Sequence, residues 1–378
     1  FMKLEINIDN LLLISFTGAF LIQLTYFMFF FTRMIWKQNP GVIEKLKPVS
    51  IIIAARNEEQ NLIKFLPKIF EQDYPEFEII VVNDRSWDDS IDVLQAFALK
   101  QNNLRVVEVP DREKDGFAKK FAITLGIKAA KHELLVFIDA DCYPNSKNWL
   151  KEIASRHVSS KNLILGASPY VREKGILNKV IRFDTAQIAI QYLSFAKAGI
   201  PYMGVGRNLS YTQELYDSVR GFKSHYYIPS GDDDLFVNEV GNKRNTTVVF
   251  SEEALTFSIP KKKFTDWWHQ KKRHLTTGKH YKAFHKILLT IYPVSLAIMY
   301  VSLPFLLVIH NWWYIALGII GFRTLLQMLI FGRPFRVMGS RDLLLLAPFL
   351  EIALLIMSPI LLFSKKKKKK QRHGFKRR

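Results

Sequence analysis

Residues 11–36, LLLISFTGAFLIQLTYFMFFFTRMIW, carry no charge until Arg33, and a run of this length exceeds the roughly 20 apolar residues a helix needs to cross a bilayer. It is also longer than the roughly 7–15 residues of a signal-peptide core, and no small-residue cleavage site follows. Residues 1–37 are therefore expected to form a membrane anchor. Further apolar runs occupy 287–309, 312–331 and 343–363, within a C-terminal membrane region of 287–363, whereas residues 48–260 mix charge, glycine and short apolar stretches. Arg33, Lys37, Lys45 and Lys47 follow the first run and only Lys3 precedes it. Cationic loops stay on the cytoplasmic side, so the chain is expected in the cytoplasmic membrane with its large domain in the cytosol.

The formal charge of +20 points to nucleic acid less than it first suggests, because Lys365–Lys370, Arg372, Lys376, Arg377 and Arg378 cluster in the tail 364–378. A polybasic tail beside an apolar segment suits anionic lipid headgroups; membrane lipid is the expected partner and nucleic acid is not. Residues 261–285 are also basic and amphipathic, with Trp267 and Trp268 as interfacial anchors. Three crossings after the domain would place the tail outside, against the charge rule. Pro348, Glu351 and Pro359 interrupt the last run and Arg323 the middle one, so 343–363 is expected to be re-entrant or interfacial. Cys142 is the single cysteine, which excludes an intramolecular disulfide and a cysteine-based zinc site.

Within 48–260 strand-like and helix-like stretches alternate. VSIIIAAR (49–56), FEIIVVND (77–84), LRVVEVP (104–110) and ELLVFIDAD read as strands, separated by helical NEEQNLIKFLPKIFEQ, DDSIDVLQAFALKQ and FAKKFAITLGIKAAK. This predicts an α/β domain with a mostly parallel sheet. Asn57 with Gln60 resembles a capping box. Ligands bind such sheets at the carboxyl ends of strands, and there the sequence places Arg56-Asn57-Glu58, Asn83-Asp84 and Asp139-Ala140-Asp141. No glycine-rich turn follows the first strand, and GVGRN (204–208) lacks the strand–turn–helix setting, which argues against a dinucleotide fold. Two carboxylates one residue apart suit a hard cation, Mg²⁺ or Mn²⁺, that keeps positions open for phosphate; Tyr143 and Pro144 exclude a calcium loop.

IIIAARNEEQNL, VVNDRSWDDS, AKKFAITLGIKAAKHELLVFIDAD, GRNLSY followed by GF, and SGDDDLF occur in the order found in membrane-bound family 2 glycosyltransferases. The chain resembles one over roughly 48–275. The resemblance implies a GT-A (Rossmann-like) nucleotide-sugar domain and an inverting, metal-dependent transfer. It implies that Asp84 contacts uracil, that Ala55, Arg56 and Glu58 form the mouth of the nucleotide pocket, and that Lys120 lies beside the nucleotide. Asp139 would face ribose and metal, and Asp141 would hold the metal. Asp232 matches the family's catalytic acid, but Gly231 replaces a Glu, which leaves Asp232 and Asp233 both open as the base.

Independently, sugar transfer needs a carboxylate to take the acceptor proton, and three consecutive acids raise one another's pKa. Asp233 or Asp234 could instead be a helix-terminus charge. Gln270 and Arg273 resemble the family's QxxRW motif, which contacts the diphosphate and the acceptor's surroundings. His274 replaces its Trp, favouring transfer of one or a few sugars over a processive polysaccharide synthase. Residues 176–203 are expected either in the core or as an amphipathic floor, and Asn208 as a turn residue. The expected reaction moves a sugar from a nucleotide sugar, UDP-linked, to a lipid-linked or cell-envelope glycan acceptor. A non-catalytic scaffold or carrier-binding subunit would have no reason to keep every acid of the site.

Overall fold

The computed structural model describes residues 8–37, 46–110, 118–158, 160–308 and 312–363; the polybasic tail lies outside the described residues. Helix α1 (Ile8–Thr25) continues through a π turn at Tyr26–Phe30 and a 3₁₀ turn at Phe31–Met34. Then follow β1 (Val49–Ala55), α2 (Glu59–Phe70), β2 (Phe77–Asn83), α3 (Ser90–Ala98), β3 (Leu104–Glu108), α4 (Ala118–Ala129) and β4 (Leu134–Phe137). The second half adds β5 (Cys142–Pro144), α5 (Trp149–Ala154), β6 (Leu163–Leu165), α6 (Ile176–Lys197), β7 (Leu209–Thr212) and α7 (Gln213–Ser218). It ends with α8 (Asp234–Val240), β8 (Thr246–Val248), β9 (Thr256–Ser258), α9 (Phe264–Leu275), α10 (Ala283–Val308), α11 (Trp313–Val337) and α12 (Ala347–Phe363).

Seven strands form one sheet in the order β3-β2-β1-β4-β7-β6-β8. The sheet is mostly parallel, with β7 antiparallel to both neighbours; β5 and β9 make a small antiparallel pair. Ile51 and Ile53 of β1 enter the core with Leu62, Leu66 and Trp149, while Ile52 enters the opposite core with Phe137, Phe195 and Phe236. Burial on both faces explains why β1 reads as an unbroken apolar run. The second core continues into Tyr26, Phe27, Phe331 and Phe335 of the apolar helices, and Phe30 stacks on Phe195 of α6 at 4.1 Å. Helix α6 therefore packs in the core, as one of the two sequence expectations had it, and thirteen of its residues are buried.

Three helical stretches, Asn10–Met34, Ala283–Val308 and Trp313–Val337, are long and apolar enough to cross a membrane, and α12 is shorter at 17 residues. The reason given above for a broken final segment needs correction. Helix α11 runs unbroken through Arg323 and α12 through Glu351. The two charges neutralise each other, with Nη2 to Oε2 at 2.8 Å and both side chains almost wholly buried. Gln327 and Gln23 accept from the guanidinium at 3.0 and 3.2 Å, and Tyr292 Oη donates to Glu351 at 3.0 Å. A charge in an apolar bundle is tolerated when it is paired in this way.

Candidate active site

The ends of β1 and β2 are cross-linked. Asn57 and Arg85 both adopt left-handed φ, 56° and 52°. The Asn57 N–H donates to Ser86 Oγ at 2.9 Å, and its Oδ1 accepts from the Trp87 N–H at 2.9 Å. Asn57 is thus a loop brace and makes no capping box; Glu58 occupies the N-cap of α2. The Asp84 N–H donates to the Ala55 carbonyl at 2.8 Å, and the Asp84 carboxylate pairs with Arg85 at 3.0 Å. Arg56 lies over the exposed Trp87 ring at 5.6 Å.

At the end of β4, oxygens of Asp139 and Asp141 and the Cys142 sulfur lie within 4.8 Å of one another. Burial, followed by the two neighbouring carboxylates, pushes the Cys142 thiol well above its ordinary pKa. It is therefore a protonated donor, to Asp141 Oδ1 at 3.2 Å, which leaves two hard oxygen ligands and fits Mg²⁺ or Mn²⁺. Glu58 faces the same patch; burial raises its pKa, Asn61 opposes, and Asp141 and Asp139 add to the rise.

The acid triplet opens α8. Gly231 before it has φ 98°, and a Cβ there would meet Leu235 Cδ1 at 2.4 Å. A side chain at 231 is both strained and blocked, which accounts for the departure from the family's Glu. Asp232 Oδ2 pairs with Lys119 at 3.0 Å, and the same ammonium reaches Asp139 Oδ1 at 3.1 Å. Burial works against the Lys119 charge, yet Asp139, Asp232 and Asp233 hold its pKa well above the ordinary value. Burial likewise opposes ionisation of Asp232, but Lys119 outweighs it and keeps the carboxyl below its usual range. Asp233 takes backbone N–H groups on both oxygens, from Gly206 at 2.8 Å and Asp234 at 2.7 Å. Burial, then Asp232 and Asp234, push it up to about 7.

The expectation for Lys120 is off by one residue. Lys120 is buried and donates to the carbonyls of His225 and Ile228, and desolvation lowers its pKa to about 8. Lys119 is the cation at the acids. It shares a helical face with Ile123, one turn on, and both line the hollow behind Asp139 and Asp232. Arg207 was also missed: it donates to Ser258 at 2.9 Å and lies over Tyr170 at 4.8 Å, while Tyr170 accepts from Gln270 at 3.2 Å. Asn208 is a turn residue as expected, donating to the carbonyls of Ala167 and Ala254.

One cleft of about 1270 Å³ brings together Glu58, Asp139, Asp141, Lys119, Asp232, Asp233, Gln270, Arg273 and His274. Ala55, Arg56 and Asp84 lie on the adjoining strand ends, outside its wall. One side of the cleft is sheet edge; the other is α6, α9 and the start of α10.

Residues 50–219 match the glycosyl transferase family 2 profile. This segment is a family 2 glycosyltransferase domain. Glycosyltransferase AglE of Haloferax volcanii is 28% identical over 193 residues, 49% of this chain and 58% of that protein. A Methanococcus voltae protein, dolichyl N-acetyl-alpha-D-glucosaminyl phosphate 3-beta-D-2,3-diacetamido-2,3-dideoxy-beta-D-glucuronosyltransferase, is 28% identical over 144 residues, 37% of this chain and 42% of that protein. The aligned stretches thus span less than two thirds of either relative. Mannosyltransferase PcManGT from Pyrobaculum calidifontis, solved in complex with GDP-Man and Mn²⁺, superposes with a TM-score of 0.56 at 16% identity, covering 93% of this chain and 99% of that one. The shared fold is GT-A.

Proposed function

We propose that the chain is a membrane-integral, inverting glycosyltransferase that moves one sugar from a nucleoside diphosphate sugar to a lipid-linked or cell-envelope glycan acceptor. The observation that carries this is the Lys119 bridge. It holds Asp139, just after β4, and Asp232, just before α8, within 3.1 Å of a single ammonium, where a donor's diphosphate and its reacting carbon would lie.

In this reading Asp84, Arg56 and Glu58 receive the nucleoside at the ends of β1 and β2. Asp139 and Asp141 would hold Mg²⁺ or Mn²⁺, which supplies positive charge to the departing diphosphate when bound. Asp232 is the base. It is kept ionised by Lys119, whereas both oxygens of Asp233 are already committed to backbone amides. The acceptor hydroxyl attacks the anomeric carbon as the bond to diphosphate breaks, and its proton passes to Asp232, so that the configuration inverts. Lys119 and Arg273 bring further positive charge to the leaving group, and Gln270 is held for that contact by Tyr170.

The stretches Asn10–Met34, α10 and α11 would make three crossings. These put the domain and the polybasic tail on the same cytosolic face, with α12 packed against the bundle. The relative from Methanococcus voltae is named for a dolichyl phosphate-linked acceptor, and the cleft's second wall is built from helices that lead into the apolar bundle, which supports an acceptor presented from the membrane. His274 in the motif's Trp position supports limited rather than processive transfer. The test is to offer several nucleotide sugars to purified protein in nanodiscs containing membrane lipid extract, and to identify products by mass spectrometry. Sugar-extended lipid or glycan is expected; no product from any donor, with the fold intact, would overturn the proposal.

A further inference from the structure

Asp234 has a use beyond helix-terminus charge. It is 8% exposed, and the hydrogen bonds to its carboxylate come from hydroxyls and a backbone N–H, with Lys120 acting on it only at longer range. Its Oδ2 accepts two hydroxyls, Thr277 Oγ1 and Tyr281 Oη, the latter at 2.8 Å, while Oδ1 takes the Leu235 N–H at 2.8 Å. Thr277 and Tyr281 lie in the connection between α9 and α10. One turn further along α8, Asn238 grips the same connection. Its Oδ1 accepts the Lys282 N–H at 3.0 Å, and its Nδ2 pairs with His285 Nδ1 at 2.9 Å and donates to the Tyr202 carbonyl at 2.8 Å. Residues four apart share a helical face, so α8 presents one gripping face to the α9–α10 connection. Its N-terminus carries Asp232 and Asp233.

We infer that Asp234 is a positioning residue that fixes the acids of α8 against the acceptor-facing wall of the cleft, through Thr277 and Tyr281. The inference rests on the transferase reading above. Helix α9 carries Gln270 and Arg273, and α10 leads into the apolar bundle, so a shift of the connection moves that wall relative to the base. Displacements near 1 Å at a reacting centre cost on the order of 10²-fold in rate. A buried carboxylate held by two hydroxyls is a directional tether: removing either hydroxyl leaves the charge without a hydrogen-bond partner of equal quality.

The test uses full-length protein in nanodiscs, with Thr277→Val, Tyr281→Phe, both together, and Thr277→Ser. Affinity for UDP and GDP is measured with Mn²⁺, and transfer kinetics with the donor and acceptor that the wild type turns over. The double variant should lose roughly 10–100-fold in acceptor kcat/KM while its nucleoside diphosphate affinity stays within about twofold, and Thr277→Ser should restore most of the loss seen in Thr277→Val. Wild-type acceptor kinetics in the double variant would overturn the inference, as would equal damage from Thr277→Ser and Thr277→Val, which would mean packing alone. A wild type that turns over no nucleotide sugar would overturn the transferase reading itself, and this inference with it.

Discussion

Replacing Glu351 by Ala leaves the Arg323 guanidinium in the apolar bundle without a counter-charge. At 2.8 Å an effective dielectric of about 20 gives a gross attraction of about 6 kcal/mol. Gln327 and Gln23 remain as neutral acceptors for two guanidinium nitrogens, while Tyr292 Oη and Gln327 Nε2 lose the carboxylate they donate to. Breaking one side of such a buried pair costs about 3–5 kcal/mol, and that is the destabilisation expected for Glu351→Ala. Removing both charges in Arg323→Met with Glu351→Leu should recover most of it, because an apolar pair of similar volume carries no desolvation penalty. The assay is reversible unfolding of the full chain in mixed micelles, arranged as a double-mutant cycle. A loss under 1 kcal/mol for Glu351→Ala, with additive single effects, would refute the pairing and restore the view that these residues interrupt the helices.

Lys119→Met should abolish most transfer, whereas Lys120→Met should chiefly lower thermal stability by unpinning the carbonyls of His225 and Ile228; comparing transfer rate with Tm for the two variants separates the roles. Asp233 is raised from 3.8 to about 7, so the folded chain holds a proton that the unfolded chain releases, and this group makes stability fall as pH rises through that window. Asp233→Asn keeps one of the two backbone N–H acceptors and removes the slope, which Tm measured between pH 5 and 8 would show. Asp234→Asn should cost more than the on the order of 1 kcal/mol or less of a surface helix-terminus charge, since it weakens two buried hydrogen bonds; chemical denaturation gives the value.

The alternating β and α elements of the first half were legible because the inner strands β1, β2 and β4 are buried on both faces and read as apolar runs, as in Ile51–Ile53 and Ile79–Val82. The acids at the strand ends were legible for the complementary reason: charge directly after such a run has nowhere to go but the sheet edge. Residue-level partners were harder. Lys119 and Lys120 are adjacent, and only the rotation of α4 against the sheet decides which one reaches Asp139. Arg323 and Glu351 look like interruptions in one dimension because their pairing crosses two helices. Asn57 matched a capping pattern, but its side chain was claimed by the Trp87 N–H from a loop thirty residues away, a competition that local sequence does not display.

The measurement that bears most directly on the proposed chemistry separates binding from transfer in two variants. Nucleoside diphosphate affinity, with and without Mn²⁺, and the transfer rate are measured for wild type, Asp141→Ala and Asp232→Asn. Asp141→Ala should lose the Mn²⁺-dependent part of binding and with it transfer. Asp232→Asn should bind nearly as the wild type does and transfer roughly 10²–10⁴-fold more slowly, the usual contribution of a positioned base. Normal transfer by Asp232→Asn, or undiminished Mn²⁺-dependent binding by Asp141→Ala, would contradict the assignment of base and metal site.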